Sequence, residues 1–385
     1  MNDMKSRRRS RNQRNHSSRS LTSMATTALA AYGAYKFTSW VWNKVTAETD
    51  ESENHSASTH RGQTQSYMRQ RRQQIAKCRK EVITTTSSFL NTLKLRVDSL
   101  TDVSQETKLL KQIRSGQVEE VSQQDLWDTI KVRSITRMLA TAYAHTILAL
   151  VLNVQIHLLG GKIFREKFQQ EAEGDEADFV ENEDDNKENY HQQVLVYTLE
   201  YFFDEGLNAL VQDLQSKVEK YFEAYQVMNE DSRSVNVINL QEFDDAVSKV
   251  NSDFEQVSFI QYICDFDGKA SKAGMEEVQF ILDETLDILD SPDFEIAKEE
   301  LLEKTMKGLH DEYTILFQGD GDEGSMPVVT IVTKLKKICT SFYKSPEERS
   351  EDTFVDLPMS AYPSKYLYFM DRMNSVRELG DFSFA

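Results

Sequence analysis

The sequence predicts an all-α protein, a large elongated helical bundle around one long central helix, preceded by an N-terminal membrane anchor. Three observations lead there. Pro is scarce (5) and Gly low (14) among 385 residues, and apolar side chains recur at helical spacing far more often than they alternate at period two. Residues 126–164, "LWDTIKVRSITRMLATAYAHTILALVLNVQIHLLGGKIF", make a helical stretch well beyond the roughly 11-residue average. Finally, a basic start adjoins a stretch free of acid, in a chain whose formal net charge is -18.

Composition narrows the function. With 39% hydrophobic residues the chain can bury a large core. The negative charge argues against nucleic acid as a main partner, because neutralising phosphates needs a basic face. Cys78, Cys264 and Cys339 are far apart and form no CxxC pair, so neither a disulfide framework nor a thiolate zinc site is expected, and a reducing compartment fits.

Residues 1–20 are a basic segment, with Arg7, Arg8, Arg9 and Arg11 as candidate targeting residues. Residues 21–45, "LTSMATTALAAYGAYKFTSWVWNKV", are the candidate anchor, with Leu21 and Leu29 in the apolar body and Trp40 and Trp42 at the edge where a lipid-water boundary places aromatic rings. A basic, Ser-rich, acid-poor start also suits a cleaved targeting peptide or a disordered arm. Residues 46–66 lack large apolar side chains and read as a polar linker. The folded domain is expected over 67–385. Its first helix carries Ile75, Val82, Phe89, Leu93 and Val97 on one side. Residues 171–189 are an acidic run expected to be an exposed loop. Leu207, Leu210, Leu214, Val218 and Phe222 mark the next long helix, and Met275 to Leu289 another. Ser291 then caps a helix with Pro292 in its first turn and Gly308 at its expected end. A helix follows "GDGDEGS" (319–325), and Tyr366, Phe369, Met370, Met373 and Val376 mark a closing one.

The quoted stretch is greasy enough from Met138 to Leu159 to raise the question of a bilayer span. It holds His145, Asn153, Gln155 and His157, which are expensive in lipid, so it reads as bundle core. Ser122 with Asp125 suggests the helix start, and Gly160 its end. His145 and His157 lie 12 apart, not at the one-turn spacing of a zinc motif, and read as buried core histidines. "DFDG" (265–268) and "DGDEG" (320–324) lack EF-hand spacing. No nucleophile elbow, Walker or dinucleotide motif occurs, so no catalytic residue, metal, cofactor or small-molecule substrate is expected.

Trp127 stands in the first turn of the long helix, between Asp125 and Asp128. The pattern allows two roles: a staple onto a neighbouring helix, or an aromatic anchor in a groove that takes an amphipathic helix from a partner.

The long helix, "LEYFFDEGLNALVQDLQSKVEKYF" (199–222) and "LDETLDILDSPDF" (282–294), together with the order of basic start, membrane segment and helical domain, resemble the peroxin-3 family. That resemblance implies a peroxisomal membrane protein with a cytosolic helical domain. It also implies that the domain docks peroxin-19, the receptor and chaperone of newly made peroxisomal membrane proteins, through that receptor's N-terminal amphipathic helix. The family's groove Trp falls on Trp127 and a groove Leu on Leu110. A family groove lysine falls on Thr330, with Lys334 one turn on, and a basic residue four before the Trp meets Gln123. Leu126 and Lys131 complete the expected partner-binding set. Peroxisomal membrane lipid is the second expected contact. The competing reading is a soluble helical scaffold or tether with an N-terminal targeting arm.

Overall fold

The computed structural model describes residues 60–117, 122–173, 193–227, 236–264, 276–318, 325–343 and 364–385. The anchor residues Leu21, Leu29, Trp40 and Trp42, the arginines at 7, 8, 9 and 11, the two acid-and-Gly stretches at 265–268 and 320–324, and most of the acidic run lie outside them.

Helix α1 (His60–Leu100) leads to α2 (Ser104–Arg114) and the central α3 (Gln123–Glu173). A helix over 193–201, α4, passes through a π-turn (Phe202–Gly206) into α5 (Leu207–Phe222). Then come β1 (Val237–Asn239), α6 (Leu240–Glu255), a short 3-10 turn (Phe259–Tyr262), α7 (Glu276–Leu289), α8 (Pro292–Gln318), β2 (Ser325–Pro327), α9 (Val328–Ser341), α10 (Lys365–Arg372) and α11 (Asn374–Ser383). The fold is all-α, with one two-stranded antiparallel ribbon among the described residues, which pairs Ile238 with Met326.

The central helix runs 51 residues, roughly 75 Å at 1.5 Å per residue. It is apolar and long enough to cross a membrane, yet 83% of its most apolar window is buried inside the fold. Its polar residues explain that burial. Asn153 Nδ2 donates to the Val376 carbonyl (3.1 Å), Gln155 Nε2 to the Thr198 hydroxyl (2.7 Å), and Arg137 Nε to the Thr101 hydroxyl (2.8 Å). These partners sit on other segments of the fold, as a protein core supplies and a bilayer does not.

The glycine pair does not end α3, contrary to expectation. A Cβ on Gly161 would stand 2.4 Å from the Phe384 carbonyl oxygen, and one on Gly160 2.4 Å from the Cys78 sulfur. The pair lets the C-terminus and α1 press against an unbroken helix. Gly308 is likewise interior to α8, where a Cβ would meet the Tyr366 ring at 3.1 Å. α1 begins at His60, within the stretch expected to be linker. The closing helix is two helices, broken at the extended Met373. The expected Ser291 cap is present, accepting from Phe294 N at 3.3 Å.

Candidate functional site

The site is built by a hairpin. α2 closes with Gly116 in the left-handed conformation (φ 72). Gln117 N bonds the Gln112 carbonyl and Gly116 N the Ile113 carbonyl, which is the Schellman pattern. The chain turns back, and Ser122 Oγ accepts from Asp125 N (3.3 Å) to start α3. Arg133 then fastens the two helices, donating to the Asp102 carbonyl (2.7 Å) and to Glu106 (2.9 Å). With Glu106 level with Arg133 in an antiparallel pair, Leu109 and Leu110 stand about one turn nearer the loop, and Ile113 stands about level with the first turn of α3.

α5 and α9 close the same end. α5 runs antiparallel to α3, since Gln155 meets Thr198 and Lys131 meets Phe222. Beyond α5, Asn236 bonds the carbonyls of Gln226 and Val227, and its own carbonyl accepts from Val328 N at the start of α9. At the other end of α9, Cys339 lies in the field of Arg137 and Asp98. α9 therefore runs parallel to α3, with Val329 and Thr330 level with its first turns and Lys334 a turn further along.

The expected residues divide. Trp127 is half-buried and packs against the core; Thr330 and Lys334 are also half-buried. Leu110 and Leu126 are buried, 4% and 8% exposed, so they form the floor under this end rather than a contact face. Lys131 needs a larger correction. Only 2% exposed, it turns inward and donates to the carbonyls of Phe222 (3.0 Å) and Tyr225 (2.9 Å) and to Asp128 (3.0 Å). Carbonyls at a helix C-terminus have no intrahelical partner, so the ammonium clamps α5 to α3 and is unavailable to a ligand.

Sequence reasoning missed Leu109, Ile113 and Val329, half-buried apolar residues at this same end. A signal was present. Leu109 and Ile113 are four apart in "KLLKQI", on the edge of the stripe that buries Leu110. With Trp127 they are half-buried apolar residues that α2 and α3 hold at this end, where Lys108, Lys111 and Arg114 are exposed.

The two central histidines are buried and pushed down to about 4 by desolvation. His157 Nδ1 pairs with the Asn153 carbonyl at 2.8 Å, and the ring of His145 stands edge-on to Tyr366. Among the described residues, no group of three or more His, Cys, Asp or Glu is placed to hold a metal ion.

A family model described as Peroxin-3 matches residues 1–385. The chain is similar to peroxisome biogenesis protein 3-1 of Arabidopsis thaliana, 22% identical over 239 residues, which cover 60% of this chain and 64% of that protein. It is also similar to peroxisome biogenesis protein 3-2 of the same plant, 20% identical over 284 residues, 71% of this chain and 76% of that protein. The match to the first thus spans a little under two thirds of the relative's own length.

Proposed function

Because this chain belongs to the Peroxin-3 family, we propose that it acts in peroxisome biogenesis as a docking factor on the peroxisomal membrane, with its helical domain on the cytosolic side. In this reading it receives peroxin-19 carrying new membrane proteins. The receptor's N-terminal amphipathic helix lies along the strip of Trp127, Leu109 and Ile113. The observation that carries the reading is the half-buried Trp127 at the head of a helix whose middle is wholly buried. A large aromatic left partly open beside apolar neighbours and above a fixed floor is the arrangement helix-in-groove recognition uses. Residues 21–45 serve as the anchor, and no catalytic step is assigned.

Trp127→Ala tests it by melting temperature and by titration with the receptor's N-terminal peptide. The expected result is roughly a thirtyfold loss of affinity, as for a hot-spot anchor worth about 2 kcal/mol, with a much smaller change in folding stability. Unchanged affinity in a normally folded variant refutes the site.

A further inference from the structure

We propose that the N-terminal half of α1 is a second docking surface, a basic stripe that lies against the anionic headgroups of the membrane holding the chain. The inference rests on the reading of residues 21–45 as an anchor. From His60 to Lys80 the sequence carries seven lysines and arginines and no acid, within a chain of formal net charge -18. The structure sorts these cations. Arg71 turns over the Phe384 ring (5.5 Å to the centroid) and Arg79 pairs with Asp381 (2.8 Å). Arg69, Arg72 and Lys80 point outward with Ala76 on one stripe, opposite the buried Ile75, Cys78 and Val82. Beside them Met68 is 43% exposed, and Gln65, Met68, Arg69, Arg72 and Gln73 line an open hollow of about 420 Å³. Guanidinium and amide donors around one apolar side chain suit a headgroup with its phosphate.

Location selects the occupant. The ring of Tyr67 sits 4.6 Å from that of Phe168, so the stripe lies at the end of α3 opposite Trp127, roughly 60 Å along the helix axis. Only 14 residues separate Val45 from His60, a tether of at most about 50 Å. The rival occupant is the chain's own acidic run at 171–189, which leaves α3 at this same end with ten Asp and Glu.

The test uses the full chain in phosphatidylcholine vesicles, with or without phosphatidylserine, containing headgroup spin-labelled lipid. A fluorophore is placed at Gln73→Cys, the native cysteines being buried, and in a second preparation at Thr333→Cys on α9. Expected are quenching at 73 but not at 333, greater with phosphatidylserine, weakened by salt, and reduced about fivefold in contact equilibrium for each of Arg69→Gln and Arg72→Gln. Flotation after carbonate washing without quenching at 73 overturns the stripe and leaves the anchor standing. Quenching that emerges only when the acids of 171–189 are neutralised assigns the stripe to that run and overturns the proposal. Failure to float overturns the anchor and the stripe together.

Discussion

Two stretches of one helix are built to opposite specifications. From Met138 to Leu159 every residue of α3 is buried, and even its amides find partners on other helices. From Gln123 to Thr129 only Leu126 is buried, and Trp127 is left half-buried. Packing density thus falls along a single continuous helix. The dry middle fixes where the neighbouring helices sit, and their ends hold an apolar strip at the surface without closing over it. Stability should reside in the first stretch and binding in the second.

The sharpest way to break that division is Leu152→Ala. Leu152 is fully buried in the middle of α3, and the cavity left behind cannot readily collapse among long neighbouring helices. The expected loss is about 3–5 kcal/mol in chemical denaturation, with peptide affinity unchanged per folded molecule. A small loss would mean that the middle is less tightly packed than its burial indicates.

Acid should find the same region. His145 and His157 are held down to about 4 by burial, against an ordinary value of 6.5. Between those values the unfolded chain takes up protons that the folded chain refuses. Stability present above pH 6.5 is therefore lost as the pH falls toward 4, by up to about 3 kcal/mol per histidine. His145→Phe removes one titrating ring and keeps the volume apolar, so melting temperature against pH should flatten over that window. An unchanged slope would assign the acid limb to other groups.

How much of this was legible in the sequence follows the same division. Helical periodicity located the buried faces of α1, α3 and α5, and the cost of Asn153, Gln155 and the histidines in lipid separated core helix from bilayer span. What failed depended on close approach between distant segments. Gly160 and Gly161 look like a helix stop because glycine is a poor helix former, yet here they admit Phe384 and Cys78, which nothing local announces. The π-turn at Phe202–Gly206 was equally hidden. Arg96 donates to the carbonyls of Phe203 (3.0 Å) and Asp204 (3.3 Å), and Gly206 lies so near the Tyr262 carbonyl that a Cβ would stand 1.9 Å from its oxygen. At the candidate site, Trp127 was visible as an anomaly. The inward turn of Lys131 was not, because its partners are backbone carbonyls of a helix more than 90 residues away in sequence.

Leu110→Ala probes the boundary between the two regions. Leu110 is floor rather than contact, so its truncation should cost about 2 kcal/mol of stability, at the low end for a buried Leu, because α2 is short and can settle inward. The settling would shift Leu109 and Ile113, and affinity for the receptor peptide should drop about tenfold, less than for Trp127→Ala. A binding defect as large as that of Trp127→Ala, without loss of stability, would make Leu110 a direct contact and the floor an incorrect description.

The smallest effect is expected at Lys334. It stands on α9 one turn beyond Thr330 and is half-buried, and the proposed site makes it a rim charge. A rim charge attracts a partner during approach but contributes little once both surfaces are solvated, because bulk water screens it within about 8 Å at physiological salt. Lys334→Ala should slow association by a factor of about two or three at low salt and flatten its salt dependence. Dissociation should hardly change. Stopped-flow mixing with the peptide at two ionic strengths separates the two rates. Should dissociation instead accelerate severalfold while association holds, Lys334 belongs to the buried centre of the interface, and the strip extends across α9 further than Trp127, Leu109 and Ile113 define it.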